Sequence, residues 1–306
     1  METMKLKELL WTLTPFTLRT PAFWRRSWKH RAARLVLGSF YCYVGVVFML
    51  WLMENRLLFR PTRAAAGWSP PPKGVAVEDV NLTSTDDTAL HAWWSEPTGW
   101  TPSRGSVLFF HGNAGNLSHR GSIILLLQNH LKTGVLLVDY PGYGRSGGVP
   151  TEKGCYAAGD AAYQWLIESK HAPGSSIILL GGSLGGGIAT DLAVRCPHRA
   201  LVIVSSFTSF PEQAQTVCPW TPARWIVSNQ FNNRKKLADV TGPVFIAHGR
   251  DDTLIPFTMS EQLFAAANEP KMLFPMEFWG HGDGLSVEAL AALTRFLQEH
   301  PVAKSD

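Results

Sequence analysis

The stretch IILLGGSLGGGIATDLAV, Ile177 to Val194, sets one serine between glycines, with an apolar run before it and apolar residues at helical spacing after it. A strand, a sharp turn and a helix that begins at once would lift the Ser183 hydroxyl clear of the chain. The helix start would also aim backbone N–H groups at whatever that hydroxyl attacks. Such a turn leaves no room for side chains two places either side of the serine; Gly181 and Gly185 meet that demand. A second match to the same G-x-S-x-G pattern, Gly144-Arg145-Ser146-Gly147-Gly148, is followed by Val149-Pro150 instead of a helical pattern. Ser146 therefore reads as a loop residue.

Apolar runs recur on both sides of this element: Ser106 to Phe110, Gly134 to Val138, Ser176 to Leu180, Leu201 to Val204, Val244 to Ala247 and Met272 to Phe278. Segments of helical period, such as KGCYAAGDAAYQWLIESK and MSEQLFAAANE, separate most of them. Continuous apolar strands alternating with helices imply a mostly parallel sheet covered on both faces, which is the α/β class. The alternating runs VAVEDVNLT and ALHAWWSE, from Val75 onward, read as an antiparallel pair at its start. In such sheets the chemistry gathers where loops leave the carboxyl ends of strands.

A serine hydroxyl becomes nucleophilic when a histidine takes its proton, and a carboxylate holds that imidazole in the right tautomer. In this kind of fold the chain order is serine, then acid, then histidine. After the run ending at Ala247 comes His248-Gly249-Arg250-Asp251-Asp252-Thr253-Leu254-Ile255-Pro256, and after Met272 to Phe278 comes Trp279-Gly280-His281-Gly282-Asp283. His281 is the candidate base. His248 precedes the acid and reads as a residue that orders its loop, while His300 has no strand before it. Asp251 and Asp252 compete for the acid's place, and either can instead be a solvated turn residue or a helix cap. An acyl-transfer oxyanion needs two backbone donors, one from the residue after the nucleophile, Leu184. The other comes from the loop after the first parallel strand, where SVLFFHGNAGN offers the main chain of Asn113. His111 and Asn116 in that loop read equally well as turn and cap residues.

Other chemistries find little foothold. Gly142-Tyr143-Gly144-Arg145-Ser146-Gly147 formally matches a dinucleotide fingerprint but lacks the immediate helix and the later acidic strand end. No phosphate-loop or H-E-x-x-H motif occurs, so neither a metal nor an organic cofactor is implied. The four cysteines lack metal-type spacing, and the sequence alone does not pair Cys155, Cys196 and Cys218. A net charge of +4, with basic residues concentrated early, outlines no nucleic-acid footprint.

With HGNAGN, DYPGYGRSGG, GGSLGG, HGRDDTLIP and GHGD in this order, the chain resembles the α/β-hydrolase superfamily of serine hydrolases. It looks most like the membrane-anchored, short-capped group that includes acyl-protein thioesterases and lipid esterases. The likeness runs from Val75 to the C-terminus, and ENRLLFRP before it also has that group's look. The resemblance implies a Ser183–His281–Asp252 triad, because the group's H-G-x-x-D-x-x-[IV]-P pattern falls on His248, Asp252, Ile255 and Pro256 and so prefers Asp252 to Asp251. It also implies hydrolysis of esters or thioesters, in the manner of an esterase, lipase or thioesterase, through an acyl-enzyme. A peptidase or amide hydrolase with the same triad, or a non-catalytic binding protein of this fold, are the alternatives. Pro141 departs from the pattern, which commonly has a basic residue there.

Leu35 to Met53 is uncharged and about long enough to cross a bilayer as a helix. Arg19, Arg25, Arg26, Lys29, Arg31 and Arg34 precede it, while Arg56, Arg60, Arg63 and Lys73 follow. That bias places the N-terminus in the cytoplasm and the catalytic part on the other side. A cleaved signal peptide or a buried core helix is the alternative; the long preceding region and the distance to the small-x-small site Ala64 to Ala66 disfavour cleavage. The expected organisation is a basic segment 1–34, a transmembrane helix 35–53, a juxtamembrane linker 54–74 and a catalytic domain 75–306 with a short cap near 206–238. The expected partners are a lipid bilayer and an acyl ester or thioester substrate. Within the cap, Pro219-Trp220-Thr221-Pro222 and Trp225 read either as an apolar rim for an acyl chain or as core packing.

Overall fold

The computed structural model describes residues 28–282 and 284–301. Arg19, Arg25 and Arg26 of the basic segment, and Asp283 of the GHGD motif, lie outside the described residues. The chain divides into two units, residues 1–54 and 55–306. In the first, Trp28–Leu52 forms one 25-residue helix, starting earlier than the uncharged run because the basic flank continues it. This helix is long and apolar enough to cross a membrane, and by length and composition it fits a membrane span or a signal sequence alike.

Among the described residues, the second unit carries ten strands: β1 (Arg60–Pro61), β2 (Glu78–Thr83), β3 (Ala89–Ser95), β4 (Ser106–Phe110), β5 (Ala114–Gly115), β6 (Gly134–Val138), β7 (Ile177–Gly182), β8 (Ala200–Val204), β9 (Val244–Gly249) and β10 (Lys271–Met276). Eight of them form one sheet in the order β10-β9-β8-β7-β4-β6-β3-β2. The pairs β2–β3 and β3–β6 are antiparallel and the rest parallel, as the alternation of apolar runs and helices requires.

Side chains leave a strand on alternate faces, and both faces here are apolar. Leu108, Phe110, Leu179, Leu201, Ile203 and Ile246 face one core, closed by the helices Glu152–Glu168, Leu184–Arg195 and Phe257–Ala266. Val107, Phe109, Leu180, Val202, Val204 and Phe245 face the other, closed by Ser122–Leu131 and Val287–Glu299. The strand order reverses at β4, whose neighbours are β6 on one side and β7 on the other. Loops leaving β4 and β7 therefore open into the crevice where such sheets place their ligands.

Two expectations need correction. The segment 54–74 is not a free linker: from Asn55 it belongs to the second unit, and Leu58 and Phe59 are buried in its core. There β1 runs parallel to β5, pairing Arg60 with Ala114 and Pro61 with Gly115. The proline-rich composition hides this, because the bonds are made by main-chain groups that carry no sequence signal. The last strand also stops at Met276, leaving Phe278 in a loop with φ of 55° and almost wholly exposed. All four cysteines are unpaired.

Candidate active site

Ser183 stands between β7 and the helix Leu184–Arg195 with φ 52° and ψ −117°, a conformation that costs a serine energy and persists only where the surroundings impose it. The Ser183 N–H donates to Val204 O at 2.8 Å, and Ser206 Oγ donates to Ser183 O at 2.7 Å. A Cβ on Gly181 would lie 2.1 Å from Gly185 O, and one on Gly185 would lie 2.0 Å from Phe110 O and 2.8 Å from His111 O. The glycines thus do two things: they let the turn close, and they let the helix start press against the end of β4.

His281 Nε2 lies 3.1 Å from Ser183 Oγ, and His281 Nδ1 lies 2.8 Å from Asp252 Oδ2. The other carboxylate oxygen of Asp252 accepts from the N–H groups of Leu254 at 2.9 Å and Ile255 at 2.8 Å. The loops after β9 and β10 are laced together by Asp251 N–H donating to Trp279 O, and by Gly249, where a Cβ would meet Trp279 O at 2.1 Å. Burial would raise the Asp252 pKa. Hydrogen bonds from His248, His281 and the Ile255 N–H outweigh it and hold the carboxyl well below its ordinary value of 3.8. Asp251, its neighbour, is exposed. A hydroxyl, an imidazole and an ionised carboxylate joined in this order can move one proton from oxygen to nitrogen while the carboxylate offsets the new charge.

The two backbone-donor candidates sit on the elements that the Gly185 contact brings together. Leu184 is the first residue of its helix, where N–H groups have no intrahelical partner. Asn113 follows the end of β4, and its side chain and carbonyl are both engaged: Nδ2 donates to Leu58 O at 2.8 Å, and the carbonyl accepts from Arg60 N–H and Tyr143 OH. Asn116 caps the short 3₁₀ turn Leu117–Arg120, the structural role open to it from sequence.

Residues 107–281 match the sequence profile of the Alpha/beta hydrolase family. The chain belongs to that family. Among relatives of this alpha/beta hydrolase, an uncharacterized protein of Mycobacterium tuberculosis is 36% identical over 84% of this chain and 92% of its own length. The alpha/beta hydrolase domain-containing protein WAV2 of Arabidopsis thaliana is 28% identical over 78% of this chain and 85% of its own. Among solved structures, an esterase of Pyrococcus furiosus superposes with a TM-score of 0.64 at 21% identity, over 79% of this chain and 98% of that one, a likeness of fold.

The second G-x-S-x-G in this alpha/beta hydrolase is a structural bolt. Ser146 is buried; its Oγ donates to Asp139 O at 3.0 Å and accepts from His91 N–H at 2.9 Å. The glycine fingerprint around it serves the same loop, since a Cβ on Gly144 would lie 2.0 Å from Asp139 Oδ2. Ser146→Ala leaves two buried main-chain groups short of a partner, so it is expected to cost about 2 kcal/mol of stability while leaving covalent labelling by a fluorophosphonate intact. Urea unfolding and gel fluorescence read the two effects separately.

Two contributors were missed from sequence. His248 Nε2, read as a loop-ordering group, lies 2.9 Å from Ile255 O and also 3.3 Å from Asp252 Oδ2, so it supports the acid as well. Asp139, at the end of β6, is fully buried and accepts from Leu117 N–H and from His111 Nε2 beneath the Asn113 loop. Its signal was an acidic residue closing the apolar run GVLLVD. In the cap, formed by the short helices Phe210–Val217, Ala223–Ile226 and Asn233–Leu237, Trp220 and Trp225 are 54% and 84% exposed. That removes core packing as their role.

Proposed function

We propose that this chain is a membrane-anchored, short-capped serine hydrolase that cleaves carboxylic esters or thioesters of acyl or lipid-like substrates. The observation that carries the reading is the continuous Ser183–His281–Asp252 relay, with spacings of 3.1 and 2.8 Å. Ser183 Oγ attacks the acyl carbon as His281 Nε2 takes its proton. Ionised Asp252 keeps the Nδ1–H of His281 directed at its own oxygen and offsets the imidazolium charge. The N–H groups of Leu184 and Asn113 hold the oxyanion. Collapse expels the alcohol or thiol, which takes the proton from His281, and water repeats the sequence to free the acid.

Exposed Trp220 and Trp225 on the cap, Leu254 beside the acid, and Phe278 and Trp279 beside the base offer apolar surface to an acyl chain. The helix Trp28–Leu52 supports anchoring, and the basic residues before it support an N-terminus in the cytoplasm with the catalytic unit on the other side. The test is a substrate panel on the full-length protein in detergent: aryl esters from acetyl to palmitoyl, acyl thioesters and aminoacyl anilides. Esters or thioesters are expected to turn over far faster than anilides, and longer acyl chains to lower KM. Preference for anilides replaces this reading with an amide hydrolase; no turnover of any class and no probe labelling leaves a binding protein.

A further inference from the structure

We propose that the segment Leu58–Thr62 is a positioning element for the reaction: it clamps Asn113, so that the main-chain N–H of Asn113 is fixed toward the oxyanion before substrate arrives. The inference rests on the serine-hydrolase reading above. Asn113 is held at three points, by Leu58 O on its side-chain amide at 2.8 Å and by Arg60 N–H at 2.9 Å and Tyr143 OH at 2.7 Å on its carbonyl. None of these bonds uses its N–H.

The clamp extends along the loop. Thr62 N–H donates to Gly115 O at 2.8 Å, and Asn116 Nδ2 donates back to Thr62 O at 2.9 Å. It is itself anchored, because Leu58 and Phe59 are buried and the Phe59 ring lies edge-on to Phe231 at 6.4 Å. Behind the loop, Tyr140 OH donates to His111 O at 2.6 Å and His111 Nε2 meets buried Asp139 at 3.2 Å. The loop is thus gripped from front and back, and it borders the helix start where Gly185 touches Phe110 O and His111 O.

The chemistry explains the grip. A backbone donor stabilises an oxyanion only if it is already aimed at the place where charge develops, and a fraction of an ångström decides its worth. A short glycine-bearing loop has no stiffness of its own. Here the stiffness comes from the segment Leu58–Thr62, far upstream in the chain, bonded to the loop through backbone groups and the side-chain amides of Asn113 and Asn116. The amide of Asn113 satisfies the Leu58 carbonyl; an aspartate there would set oxygen against oxygen, and an alanine would leave the carbonyl without that donor.

The test uses full-length Asn113→Ala, Asn113→Asp and Arg60→Pro, the last removing the N–H that Asn113 O accepts. Turnover of an aryl ester is measured per titrated active site, together with inhibition by a trifluoromethyl ketone, which mimics the tetrahedral adduct. Removing an oxyanion donor outright costs about 10²–10³ in kcat, so a misaimed one is expected to lower kcat by about ten- to a hundredfold with KM unchanged, and to weaken the ketone in step with kcat/KM. Wild-type kcat and ketone affinity in the folded Asn113 variants, or a rise in KM alone, overturns the proposal. If the Asn113 variants do not fold, Arg60→Pro decides by the same two readouts, the Arg60 side chain being exposed. Should Ser183→Ala retain turnover, the parent reading fails instead; Ser183→Ala inactive with wild-type Asn113 variants sinks the clamp alone.

Discussion

Ser183→Ala is expected to abolish covalent labelling by a fluorophosphonate and to lower kcat on an ester on the order of 10⁶-fold. In the proposed mechanism the Ser183 hydroxyl is the attacking atom. Ser206 is spent on the elbow itself, its Oγ donating to Ser183 O, and Ser146 is buried with both of its hydrogen-bonding roles filled. On that reading, what remains after the substitution is the help given by the backbone donors, about 10³–10⁴-fold over water. The fold is expected to survive, because the bonds that hold the elbow come from the Ser183 main chain and not from Oγ. Alanine is the informative choice: it keeps a Cβ at φ 52° and so keeps the strain, whereas glycine would relax the turn and confuse lost chemistry with lost geometry. Persistent labelling of a folded Ser183→Ala protein would move the nucleophile elsewhere and end the triad reading.

The parts of this molecule that were legible in advance are those written in side chains. Each central strand needs apolar residues on both faces, so SVLFF and SIILL announce a covered parallel sheet, and the glycines of GGSLGG announce a backbone approach that a Cβ at Gly181 or Gly185 would block. The order of Ser183, Asp252 and His281 along the chain follows from the order of strands. What sequence concealed is written in main-chain groups. The bond from Arg60 N–H to Asn113 O could be made by almost any residue, so RPTRAAAGWSPPP read as a linker even though Phe59 beside it is buried. His248 lies at the end of β9 and its bond to Ile255 O orders the loop that follows, but its second contact, to Asp252, depends on how tightly residues 252–255 curl back over it. The two tryptophans of the cap show the opposite limit: residue type alone did not separate core from surface, and only the fold leaves Trp225 in solvent.

Asp252→Asn is expected to lower kcat about 10⁴-fold while Asp251→Asn leaves it near wild type, and the hydrogen bonds around Asp252 say why so small a change matters. Leu254 N–H and Ile255 N–H both demand an acceptor at Oδ1, so the amide oxygen of an asparagine must face them. Its NH₂ then points at His281 Nδ1, which can no longer carry a proton; the proton moves to Nε2, the atom that must take one from Ser183. The base becomes a donor, and the relay runs backwards. Asp251 contributes only a main-chain N–H to Trp279 O, with its side chain in solvent, so its amide changes nothing in the relay. Equal losses in the two variants would mean that the choice between the aspartates is wrong. Stability gives a second, independent readout. The folded-state pKa of Asp252 lies below its ordinary value of 3.8, so its ionised form adds stability that is fully present above that value and is lost as pH falls through the folded one. The stability gap between wild type and Asp252→Asn should therefore be constant above about pH 5 and narrow from about pH 4 downward, as urea unfolding at stepped pH would register. A gap unchanged down to about pH 2 would show that the fold does not favour the ionised carboxylate, and with it would go the electrostatic half of the argument for Asp252 as the partner of His281.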